Sequence, residues 1–162
     1  MRRSAWRRRK RTGTCTVEMA FILPVLLVFL YGIIEFGHAV MIRNILSTAC
    51  RAGARYASTE GATTTQVRNR VEDILSTAID PEAVDLLVKD ASVFDEGGNL
   101  PSSPEDFNAL ADIEVADAES RQLFLIRATV NYADTILLSI PFMDFMGMDT
   151  LVLTGQAITR HE

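Results

Sequence analysis

The longest apolar run lies near the start of the chain. Residues 17–42 read VEMAFILPVLLVFLYGIIEFGHAVMI, 26 residues with two acids, Glu18 and Glu35, and no base. As a helix this run would be about 39 Å long at about 1.5 Å per residue. A bilayer core needs about 20 apolar residues. The strictly uncharged part, residues 19–34, is 16 residues long. Tilt, or burial of Glu35 against a partner, makes up the rest of a span. One transmembrane helix is expected.

The pattern changes after residue 43. Residues 44–58 have few large apolar side chains and many small ones. Ala49, Gly53 and Ala57 recur at i+4, a spacing that lets another helix approach closely. Arg51 and Arg55 share another face. A bundling helix that continues the span fits this stretch; a flexible juxtamembrane linker is the alternative. From Thr64 to Ile79 the positions Val67, Val71, Ile74, Leu75 and Ala78 form an apolar stripe at helical spacing, which Asp80-Pro81 ends.

Strand patterns follow. In residues 83–94, Val84, Leu86 and Val88 alternate against Asp85 and Lys89. The acid and glycine cluster at 95–99 reads as a turn, because the acid spacing of an EF-hand calcium loop is missing. Residues 100–120 read as a long acidic loop with a helical turn from Pro104. In residues 122–132, Phe124, Ile126, Ala128, Val130 and Tyr132 share one face of a strand. Residues 151–159 form the last strand. The apolar run at 136–148, ILLSIPFMDFMGM, is expected to serve as core of the small sheet; an adaptable binding surface is the alternative.

These elements predict an α+β fold. A single N-terminal transmembrane helix extends into a small extracytoplasmic domain with a second helix and a short antiparallel sheet. The expected divisions are a basic leader at 1–13, the transmembrane and protruding helix at 14–59, and the α+β domain at 60–162.

Composition adds direction. With 48% hydrophobic and 23% charged residues among 162, the chain is globular rather than disordered. The net charge of −5 is uneven. Arg2, Arg3, Arg7, Arg8, Arg9, Lys10 and Arg11 precede the apolar run with no acid among them, leaving nine bases against 21 acids after residue 13. By the positive-inside rule the N-terminus stays in the cytoplasm and the chain from about residue 60 lies outside it. A basic tail also raises nucleic acid as a partner. Trp6, however, is a lone aromatic with no folded surface around it, so the arginines are read as topogenic and no nucleic acid is expected.

Two His and two Cys exclude a multi-disulfide framework and leave no expected metal site or cofactor. Cys15 and Cys50 would stand about 52 Å apart along one helix, far beyond the reach of a disulfide. Cys50 is expected to pack as a small residue. Glu35 is expected to be a solvated acid near the far interface, with His38 placed to pair with it across one helix face. No catalytic constellation is visible: His161 is at the chain end, and Ser139 has no base near it in sequence.

Processing of the N-terminus has three possible forms. The first is an uncleaved anchor. The second is a signal peptide cut after Ala39, with small residues in Gly37-His38-Ala39. Pro24 and the nearby Glu35 disfavour that cut. The third is a prepilin leader, with Gly13 at −1, Thr14 at +1 and Glu18 at +5. Cys15 falls at +2, which excludes a lipoprotein.

The third arrangement carries a resemblance. The run GTCTVEMAFILPVLLVFLYGIIEF, from Gly13 to Phe36, resembles the start of a TadE-like pseudopilin: a Gly, a short spacer, Val-Glu, an apolar stretch with an early Pro, then Gly-Ile-Ile-Glu-Phe-Gly. Met19 stands where an aromatic residue is more usual. The stretch ACRAGARYA, residues 49–57, extends the similarity. The resemblance implies a membrane-anchored, pilin-like structural subunit of a tight-adherence secretion and pilus system. It implies cleavage between Gly13 and Thr14 by a prepilin peptidase, pairing of Glu18 with a neighbouring subunit's new amine, and partners among other pilin-like subunits. An enzyme is not implied. The rival function is a single-pass membrane protein with an extracytoplasmic ligand-binding or sensory domain.

Overall fold

The computed structural model describes residues 12–95, 104–118, 121–136 and 151–161. It contains α1 (Thr12–Ala57), α2 (Thr64–Leu75), β1 (Val84–Asp90), α3 (Pro104–Asn108), β2 (Leu123–Asn131) and β3 (Val152–Arg160), with short 3-10 turns between them. The α+β architecture expected from the sequence is present. The chain divides into two compact units between Phe36 and Gly37, inside α1.

In the first unit, α1 passes through Pro24 without interruption. The large apolar side chains along its run are open: Phe21 is 76% exposed and Phe36 73%. A helix that is apolar on all faces has no polar side to turn toward water.

The second unit has a core. The small antiparallel sheet has the order β1-β2-β3. Val88 pairs with Ile126, Leu86 with Ala128, and Ala128 with Gly155. The inner face of β2 is buried from Phe124 through Ile126, Ala128 and Val130 to Tyr132, the alternation read from the sequence. α2 starts where Thr63 accepts a hydrogen bond from the Gln66 N–H and the Gln66 side chain accepts one from the Thr63 N–H. This reciprocal cap satisfies two amides that a helix start leaves open. Gly61, at φ +79°, makes the turn before it, in a conformation that favours glycine.

Two departures from the expected stripe of α2 have a physical cause. The helix ends at Leu75, and Ala78 is exposed while Val67, Val71 and Leu75 are buried. The Ala78 and Ile79 N–H groups both donate to Leu75 O, so the chain tightens and turns before Asp80-Pro81. Ala78 is thereby carried off the buried face.

The second face of the sheet is covered in part, along Lys89 of β1 and the first half of β2. Leu125 and Arg127, on the side of β2 opposite the inner face, are buried. The connection from β1 to β2 crosses there: Asp112 bridges to Lys89, and the Asp90 N–H donates to Ala111 O at 2.8 Å. Period-two patterning alone does not report such a cover. Of the run 136–148, only Ile136 lies within the described residues.

Candidate functional site

The candidate residues from the sequence all fall on α1, and they occupy two different surfaces. Gly13 lies in the first turn, where backbone amides have no intrahelical acceptor. The Thr14 side chain lies outside the described residues. Glu18 is one turn further on, exposed, with no ion pair among the described residues. Cys15 is exposed and free.

Glu35 corrects an expectation. It is 3% exposed rather than solvated, and Tyr31, one turn earlier, hydrogen-bonds its side chain. A buried acid is retained only when it has such partners. His38 Nδ1 is buried without a hydrogen-bond partner among the described residues.

From Gly37 onward α1 is a core element, so residues 44–57 are helical rather than a flexible linker. Ile42, Leu46, Ala49, Cys50, Ala54 and Ala57 are buried. The close approach allowed by Ala49, Gly53 and Ala57 is used within the chain. A Cβ on Gly53 would collide with Val71 Cγ2 of α2 and lie 3.6 Å from Ile126 Cδ1 of β2. On the sheet side a second glycine does the same. A Cβ on Gly155 would collide with the Leu46 carbonyl carbon and lie 2.5 Å from the Ser47 nitrogen. The Cys50 thiol donates to Gly155 O at 3.4 Å. Cys50 is therefore the small packing residue expected. Gly155 was not singled out from the sequence, although a glycine inside a strand signals close backbone approach.

An open groove of about 470 Å³ follows the other side of α1. Gly37, Met41, Asn44 and Thr48 line it from the helix, and Ile74 and Thr77 from the end of α2.

Two acids tie the second unit together. The Thr64 N–H donates to Glu114 Oε1 at 2.8 Å, and the Val115 N–H donates to Thr64 Oγ1 at 2.9 Å. These bonds fasten the start of α2 to the β1–β2 connection, and the Thr64 bonds hold the Glu114 carboxyl below its usual value. At Asp90, burial pushes the carboxyl up. Hydrogen bonds from the Ser92 N–H (2.8 Å) and the Gln122 amide (3.1 Å) outweigh it, so the net direction is down. Among the described residues no group of three or more His, Cys, Asp or Glu side chains is placed to hold a metal ion.

The class defined by these features is a long apolar N-terminal helix, long enough to cross a membrane, joined to a small α+β domain. Residues 13–55, within this helix, match the family described as TadE-like protein. The match begins on Gly13 and ends two residues before α1 does. Neither a curated protein nor a solved structure matches the chain.

Proposed function

We propose that the protein is a membrane-anchored, pilin-like structural subunit of a tight-adherence secretion and pilus system. The supporting observation is the coincidence of three features on one helix. The family match starts at Gly13, an exposed acid without an ion pair among the described residues follows at Glu18, and the apolar side chains beyond it are exposed. A prepilin peptidase removes residues 1–13. The basic leader keeps the N-terminal side cytoplasmic, and the α+β domain stands outside.

Cleavage would expose the Thr14 amine, which is largely protonated at neutral pH. An ammonium drawn into the bilayer costs at least about 2.5 kcal/mol on insertion scales. A neighbouring subunit's Glu18 offsets that cost, and removing one partner leaves the other charge alone. Glu18→Leu is therefore expected to insert normally, since it makes the helix more apolar, and to lose crosslinked oligomers at matched expression.

Intact mass of the protein from native membranes tests the proposal. A mature chain beginning at Thr14 supports it. A chain beginning at Met1 or Val40 overturns it in favour of a plain anchor or a secreted protein.

A further inference from the structure

The second unit exposes seven large apolar side chains among its described residues, and four of them, Val40, Met41, Leu151 and Val152, belong to one end. Val40 and Met41 follow Gly37, where the chain enters the unit. They line the open groove with Ile74 and are 43% and 48% exposed. Leu151 and Val152, at the start of β3, are 45% and 52% exposed. Tyr56, Val93 and Ile158 stand elsewhere, each on a different element. Single exposed apolar residues are ordinary, whereas a gathered set marks a contact surface.

The packing of α1 on the sheet puts the two pairs at one level. Gly53 lies against Ile126, which pairs with Ala157, and Leu46 lies against Gly155. Moving along α1 toward Gly37 therefore moves along β3 toward its first residue. From Gly155 back to Val152 is about 10 Å at about 3.3 Å per residue. The same distance along α1, at about 1.5 Å per residue, leads from Leu46 to about Val40. Ile158 stands about 20 Å further along the strand than Val152.

The apolar run before the unit relates that level to a bilayer. About 20 helical residues cross the hydrocarbon core, and counting about 20 from Met19 ends at His38. Val40 and Met41 come directly after it, in the headgroup layer of about 5–7 Å on each side. Charges of both signs are exposed at this end. Arg43 is on α1, and Asp134 follows β2 in the turn whose Tyr132 N–H donates to Leu151 O. A base and an acid suit the phosphate and ammonium of a zwitterionic headgroup. Asp80 and Glu82, exposed before β1 at the other edge of the sheet, weigh against an anionic lipid.

We propose that this end of the second unit rests on the bilayer surface. Val40 and Met41 of α1, with Leu151 and Val152 at the start of β3, contact the headgroups and upper acyl chains of zwitterionic phospholipid. Contact through two separate elements fixes how the domain stands on the membrane. The inference rests on the membrane anchoring in the reading above, and on neither cleavage nor assembly.

The test uses the full chain carrying Trp6→Phe, one copy per phosphatidylcholine nanodisc. A single tryptophan is introduced by Val152→Trp, or by Ile158→Trp as the control. Val152 and Ile158 lie on the same face of one strand and are both exposed, so the affinity of tryptophan itself for interfaces cancels. Lipid brominated high in its acyl chains should quench Val152→Trp at least about twofold, since interfacial apolar groups sink about 5–10 Å into the headgroup and acyl boundary. Ile158→Trp should keep its emission. No quenching at Val152→Trp, or equal quenching at both positions, overturns the proposal. Leu26→Trp, with lipid brominated midway along the chain, tells the two failures apart. If it is quenched while Val152→Trp is not, the helix spans and only the docking fails. If it is not quenched, the membrane anchoring fails and the docking with it.

Discussion

The two parts of α1 solve opposite problems with the same backbone. Before residue 37, large apolar side chains point outward on every side: Phe21, Val25 and Phe29 are exposed along with their neighbours. After it, Ile42, Leu46, Ala49, Cys50, Ala54 and Ala57 are buried against the domain's own elements, and the surface left over is mixed, with Asn44, Arg51 and Arg55 exposed beside Val40, Met41 and Tyr56. Among the described residues the large apolar side chains of the first stretch are uncovered within their unit, and an apolar area of this extent suits contact with lipid or with other chains. The second stretch is covered by the fold to which it belongs. Its small residues bring backbones together rather than filling space. Hydrophobicity alone would rank the first part as the better core, yet it is the second that the fold uses.

The sharpest way to break this contrast is at the contact between strand and helix backbones. Gly155→Val places a side chain where the Leu46 carbonyl carbon and the Ser47 nitrogen already stand. Backbones on both sides have little room to yield. The domain should lose about 3 kcal/mol or more, read as a lower urea midpoint. A midpoint unchanged from the parent would mean that α1 does not lie on β3.

Paired leucine truncations sharpen the comparison. Leu46 is fully buried and Leu26 is 51% exposed. Leu46→Ala should cost about 2–5 kcal/mol of domain stability. Leu26→Ala should change it by no more than about 0.5 kcal/mol. Equal losses at both sites would show that the two parts of the helix share one core.

A smaller effect concerns acid. The Asp90 and Glu114 carboxyls are held below their ordinary values by folding. Their contribution is therefore complete above the unfolded values, about 3.9 and 4.3. It is lost as pH falls through the lower folded values. Asp90→Asn should lower the urea midpoint at neutral pH, and the gap from the parent should narrow by about pH 3. A gap that widens on acidification would reverse the sign of the assignment.

The elements of the fold were legible where one face decides the pattern. The stripe Val67, Val71, Leu75 and the alternation Phe124, Ile126, Ala128, Val130 are read directly from spacing, because each element buries one side against one neighbour. Burial that depends on distant chain was not legible. Leu125 and Arg127 sit on the face that period-two patterning assigns to solvent, and they are buried because residues 107–112 return over them. Glu35 is a similar case: its sequence position near the end of the span does not reveal its burial or its bond with Tyr31. At the candidate site, the spacing of Ala49, Gly53 and Ala57 announced a close approach, but not that α2 of the same chain makes it. The sequence signal for Gly13 and Glu18 is their spacing ahead of the apolar run, and the chemistry proposed for them needs a cleavage and neighbouring subunits that a single chain does not contain.

The division of α1 is tested most directly by its depth in a bilayer. In nanodiscs, amide signals are followed while a lipid-soluble paramagnetic agent is added, then a water-soluble one. Residues 19–34 should broaden with the lipid-soluble agent alone. Residues 44–57 should be spared by it, with the exposed positions among them, such as Arg51 and Arg55, responding to the water-soluble agent. Broadening of residues 19–34 by the water-soluble agent, or of residues 44–57 by the lipid-soluble one, would contradict the account.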